Sequence, residues 1–139
     1  MDFKDCIKFA NDVKNCSFAT IDNGNPRVRV LSMWFADETG FYLQTESYKD
    51  FYKQLKANPK VEMCFWKPEA TGMMRVEGEI EFLHDKNLKE KILKDRPFLK
   101  TFGYTADSPK LILFRLAKGQ AHFWTMQNKF KPKQMIKFG

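Results

Sequence analysis

Residues 26–66 read PRVRVLSMWFADETGFYLQTESYKDFYKQLKANPKVEMCFW, and the change of period inside this stretch decides the fold. From Pro26 to Asp37 the chain alternates with period two, which predicts a strand with Val28, Val30, Ser32 and Trp34 on one face. Arg27, Arg29, Leu31, Met33 and Phe35 then share the other face, so the arginines stand at one end of an otherwise apolar surface. Asp37-Glu38-Thr39-Gly40 is turn chemistry, and Phe41–Thr45 predicts the next strand. The period becomes helical over residues 48–58, closed by Asn58-Pro59, and Lys60–Trp66 returns to strand. A strand therefore leads directly into a helix at Ser47-Tyr48-Lys49-Asp50.

Outward from this stretch the same signals continue. Phe3, Cys6, Ile7, Ala10 and Val13 recur at helical spacing over residues 2–14, and residues 16–22 form a short β-rich run before the turn Asn23-Gly24-Asn25-Pro26. Residues 73–84 predict another strand, with Gly78 as a bend. Asp85 caps a helix over 86–95 that ends near Arg96-Pro97, and residues 98–109 read as a long connector. Residues 111–117 and 120–126 read as a final hairpin around Lys118-Gly119, followed from Lys129 by a mobile lysine-rich tail. The sum, about seven strands and three helices, predicts a mainly β, α+β fold: one antiparallel barrel with helical insertions, a single domain over residues 1–139.

Composition narrows the chemistry by exclusion. No segment approaches the roughly 20 apolar residues that span a bilayer, so a cytoplasmic protein with no membrane partner is expected. Cys6, Cys16 and Cys64 are odd in number and lack C-x-x-C spacing, which predicts reduced, mostly buried thiols. The net charge of +7 permits an anionic partner but does not choose among nucleic acid, a membrane surface and a phosphorylated cofactor. Dinucleotide, nucleotide-phosphate and zinc motifs are absent, and no cysteine–histidine cluster suggests a metal. His84 and His122 stand alone, and the serines lack a nucleophile-elbow context, so no catalytic residue is assigned. Any redox or transfer chemistry then falls to a cofactor.

The junction at Ser47 has two readings. Ser47-x-x-Asp50 fits a capping box, in which Ser47 accepts from the Asp50 amide and the Asp50 carboxylate reaches back. A helix start also offers unpaired N–H groups to a phosphate, with Lys49 adding charge and Arg27 and Arg29 supplying guanidinium forks from the preceding strand. Asp50 opposes an anion there.

The linear pattern as a whole resembles the FMN-binding, pyridoxamine 5'-phosphate oxidase-like split-barrel family. The residues that carry the resemblance are Arg27 on the second strand, Thr45, Ser47, Lys49 and Asn58-Pro59, and it extends through residues 73–82 and the terminal Ala121–Met126. It implies a homodimer with FMN at the subunit interface, the phosphate held by Arg27 and Lys49 with Ser47 and Arg29 assisting. Val28 to Val30, Gln44 and Thr45 would line the isoalloxazine and ribityl portions, partly through backbone groups. Trp124 matches an aromatic contributed by the other subunit, with a core or hairpin tryptophan as the competing reading. The stretch between Thr45 and Ser47 is shorter than in many relatives, and the tail, residues 128–139, lacks the arginine-leucine-histidine motif of the dedicated oxidases. The resemblance thus implies an FMN-dependent oxidoreductase acting on a small substrate. The alternative is a flavin-binding protein for electron transfer, storage or sensing without turnover. Nucleic-acid binding through the basic surface has less support, because most aromatics fall at core-facing positions.

Overall fold

The computed structural model describes residues 1–70 and 72–139. A capping box opens helix α1 (Phe3–Val13): the Asp2 carboxylate accepts from the Asp5 amide at 3.2 Å, and Asp5 accepts from the Asp2 amide at 2.8 Å. There follow strands β1 (Asn15–Asp22), β2 (Asn25–Ser32), β3 (Phe35–Asp37) and β4 (Gly40–Glu46), then helix α2 (Asp50–Ala57). Strand β5 (Lys60–Lys67), a short turn and β6 (Gly72–Leu83) lead to helices α3 (Lys86–Asp95) and α4 (Phe98–Thr101). The chain ends with β7 (Leu111–Thr125) and β8 (Ile136–Phe138). All pairings are antiparallel, in the order β2-β1-β5-β6-β7-β4-β3, with β8 beside β7. This is a split β-barrel, mainly β with helices at its ends. None of the helices is long and apolar enough to cross a membrane among the described residues.

The alternation read from the sequence sorts the sheet into two faces. Arg27, Arg29 and Leu31 pair with Thr20, Phe18 and Cys16 on the inward side, whereas Val28 and Val30 pair with Ala19 and Ser17 on the outward side. Phe18, Phe41, Phe65 and Phe114 are fully buried in the barrel core. Phe51 on α2 meets Phe18 and Phe114 edge to face, with centroids 5.1 and 5.8 Å apart, and so seats the start of α2 on the barrel. Trp34, Tyr42, Ile92, Leu93, Leu99, Leu111 and Leu113 form a second cluster, to which α3 and α4 contribute. Burial pushes the Cys6 thiol up to about 11 and the Cys16 thiol to about 12, so both stay protonated at neutral pH.

Four expectations change. The predicted strand over 26–37 breaks at Met33-Trp34, because the chain leaves β1 and takes β4 as its partner. The broken backbone is satisfied elsewhere: the Met33 amide donates to Lys14 at 2.9 Å, the Trp34 amide to Tyr42 at 2.9 Å. Arg96 donates to the carbonyls of Ser32 and Met33 at 3.0 and 2.8 Å. The predicted hairpin at Lys118-Gly119 is a single strand of 15 residues, β7, paired along its length with β6 and bent by a bulge that leaves Ala117 without a partner there. Gly119 serves close approach and not a turn, since a Cβ would lie 2.0 Å from the Glu77 carbonyl oxygen. The tail from Lys129 returns as β8, and Phe138 is buried and stacked on Phe3 at 4.7 Å. Lastly, the connector over 98–109 contains α4.

Candidate functional site

The inward arginines of β2 meet the start of α2 across a groove of about 630 Å³, lined by residues of the β1–β2 hairpin and by Asp50, Lys53, Gln54 and Ala57. Arg29 is half-buried there, its guanidinium 4.5 Å above the Phe51 ring. Nη1 donates to the Phe18 carbonyl at 3.1 Å and to the Thr20 hydroxyl at 2.7 Å, while Nη2 donates to Gln54 Oε1 at 2.6 Å. A guanidinium carries five N–H groups. The Nε–H and the second Nη2–H therefore have no acceptor among the described residues, and together they make the two-pronged edge that fits two oxygens of one oxyanion. Burial lowers the Arg29 pKa, but arginine remains a cation.

Arg27 is a different kind of group. It is exposed, and among the described residues its one partner is Asp22, with Nε 3.3 Å from the carboxylate. An exposed pair of this sort contributes little, so Arg27 is a solvent-facing charge at the rim where Arg29 is held at the wall by three hydrogen bonds.

The expected capping box at Ser47 is absent. β4 runs to Glu46, and Ser47 just beyond it is still tied to the neighbouring segment: the Ser47 amide donates to the Lys110 carbonyl at 2.9 Å, and the Lys49 amide turns back to Glu46 at 3.1 Å. The helix consequently starts at Asp50 with Lys49 as its N-cap, two residues later than a Ser47 cap requires, and no side chain caps it. Among the described residues its first-turn amides have no side-chain acceptor, which favours negative charge at that end, while the Asp50 carboxylate in the same turn opposes it.

Gln44 and Thr45 are adjacent in β4 and point to opposite faces. Gln44 accepts from Arg96, the residue that holds the Ser32 and Met33 carbonyls at the end of β2, whereas Thr45 is buried and its hydroxyl has no partner among the described residues. The two side chains do not converge. An unpaired buried hydroxyl is a costly group to leave without a partner.

The competing reading of Trp124 as a core tryptophan is corrected, since Trp124 stands on the outward face. Trp66, Met73 and Trp124 pair across β5, β6 and β7 in one row there. In the same face Val28, Val30, Trp66 and Trp124 are 71%, 74%, 63% and 37% exposed. Arg75 and His122 lie between them, 3.3 Å apart. Burial and the charge of Arg75 lower the His122 pKa, favouring a neutral ring.

Sequence reasoning missed Thr20 and Gln54. Thr20 is the register partner of Arg27, and Gln54 lies one turn beyond Asp50 on α2, so only pairing and helix phase together bring them to Arg29.

Residues 4–126 match the pyridoxamine 5'-phosphate oxidase family. The chain belongs to that family. It is 39% identical over 66 residues to the pyridoxine/pyridoxamine 5'-phosphate oxidase of Pseudomonas paraeruginosa, a match that covers 47% of this chain and 31% of that enzyme. The matches thus span about half or less of the length of such curated relatives. Among solved structures, a NimC/NimA family protein from Clostridium acetobutylicum superposes with a TM-score of 0.82 at 24% identity, covering 97% of this chain and 92% of that one. A pyridoxamine 5'-phosphate oxidase-related, FMN-binding protein from Nostoc punctiforme gives 0.72 at 14% identity, over 91% of this chain and 87% of that one. Both likenesses are of fold.

Proposed function

We propose that this family member binds FMN in the groove between β2 and α2, as a homodimer, and works as an oxidoreductase on a small substrate. The observation that carries the reading is the oriented Arg29, with two N–H groups left for an oxyanion beside the uncapped start of α2. Arg29 offers a phosphate monoester a fixed fork and Arg27 adds charge from the rim; Lys49, at the helix start, and Ser47 are outside the residues that line the groove and are assigned to the phosphate by the family resemblance. Val28 to Val30 and the backbone of Gln44 and Thr45 are assigned to the ring and ribityl chain, with Thr45 Oγ1 as a polar contact. FMN, when bound, supplies reversible acceptance of a hydride or of single electrons; the chain supplies position, charge and exclusion of water.

The outward apolar face supports the dimer. Isolated exposed valines and tryptophans are ordinary, but Trp66, Met73 and Trp124 stand side by side across three strands, and a contiguous apolar row of this kind marks an interface. In this reading a second copy covers it, and Trp124 of each copy approaches the cofactor of the other. Light scattering at micromolar concentration is expected to give twice the chain mass, with an interface above roughly 2,000 Å² in total. A monomer that keeps its flavin would overturn the dimer.

The cofactor is tested by titration followed through flavin fluorescence. FMN is expected to bind at least tenfold tighter than riboflavin, because the two differ only by the phosphate and tenfold is about 1.4 kcal/mol. Equal affinities would remove the phosphate site. Stopped-flow reduction by nicotinamide donors then separates an oxidoreductase from a flavin carrier, which would be reduced slowly by every donor.

A further inference from the structure

Gln54 is fixed by the groups around it. Its Oε1 lies 2.6 Å from Arg29 Nη2 and 2.6 Å from Thr20 Oγ1, while Thr20 Oγ1 itself accepts from Arg29 Nη1 at 2.7 Å. A guanidinium only donates, so the carboxamide atom facing it must be the oxygen. With its one proton given to Gln54, the Thr20 hydroxyl has its oxygen available to Arg29. The three side chains thus close a ring of three hydrogen bonds. The amide end of Gln54, Nε2 with two N–H groups, is left with no acceptor among the described residues, and Gln54 lines the groove.

We propose that Gln54 is a further binding residue of the groove: its Oε1 aims Arg29, and its Nε2 donates to the same bound phosphate. This rests on the reading of the groove as the phosphate site of FMN. A carboxamide suits the position because it presents an acceptor to the cation and a donor to the anion at once. A glutamate would keep the first contact and replace the second by repulsion. An apolar residue of the same length would lose both.

Two variants test the assignment, each titrated with FMN and with riboflavin. In Gln54→Glu, at a pH where the carboxyl is ionised, the preference for FMN over riboflavin is expected to fall by tenfold or more. In Gln54→Met it is expected to fall about tenfold, since Arg29 loses its orienting partner. Riboflavin affinity should stay within about threefold of the parent in both, which also reports an intact fold. A general loosening of α2 would lower both affinities together and would show a merely structural role, overturning the proposal. Unchanged preference in both variants would likewise overturn it while leaving the phosphate reading intact. Equal affinity of the parent chain for the two ligands would remove that reading itself, and this inference with it.

Discussion

Arg29→Ala is expected to weaken FMN binding about a hundredfold while leaving riboflavin binding within about threefold. The substitution removes two charge-assisted hydrogen bonds to the phosphate, each worth about 1.5–3 kcal/mol, and about 1.4 kcal/mol is a factor of ten. Arg29→Lys should restore only part of the loss, because a point charge returns without the fork. Arg27→Ala should cost about tenfold, since its guanidinium is exposed and shared with Asp22. Lys49→Ala should cost less again, because the backbone N–H groups at the start of α2 remain. Lys100→Ala on α4 serves as a distant exposed control. If Arg29→Ala matches that control in isothermal titration, the groove is not the phosphate site, whatever colour the protein shows.

Gly119→Ala carries the largest expected cost to stability. The added Cβ would stand 2.0 Å from the Glu77 carbonyl oxygen and 3.1 Å from Gly78 Cα, both backbone atoms that cannot rotate aside. The ladder between β6 and β7 must open there, at the same residues where β8 pairs with β7. A loss of about 3 kcal/mol is expected, with thermal melting lowered by roughly 10 °C. Gly24→Ala is the useful contrast: it meets no atom within 4 Å and bears only the strain of φ +80°, about 1 kcal/mol. Thermal melting followed by circular dichroism compares the two directly. Equal melting temperatures would show that β6 and β7 have room between them at Gly119 for a methyl group.

The barrel was legible because its signals are local. Period-two runs, the Asn23-Gly24 turn and Asn58-Pro59 each announce themselves within a few residues, and the inward placing of Arg27 and Arg29 follows from alternation alone. The misreadings arose where one residue type serves two purposes. Lys118-Gly119 has the chemistry of a turn, yet Gly119 is there to let two strands touch. Ser47 and Asp50 have cap spacing, yet Ser47 is still engaged with Lys110. The break at Met33-Trp34 is invisible in an alternating run, because a change of partner leaves no mark on period. The difference between Arg27 and Arg29 was hidden for a similar reason. Thr20 and Gln54 become neighbours of Arg29 only after β1, β2 and α2 have assembled.

Strand β4 is a partition wall between two chambers. Phe41 and Leu43 project into the barrel, whereas Tyr42 joins the cluster to which α3 and α4 contribute and Gln44 meets Arg96 on that side. A wall furnished on both sides has no spare face. Deleting one residue ahead of Phe41 would turn the phenylalanine and leucine outward and bring Tyr42 and Gln44 into the barrel, spoiling both chambers in a single step. The length of the segment from Gly40 to Glu46 is therefore fixed twice over, once by each chamber.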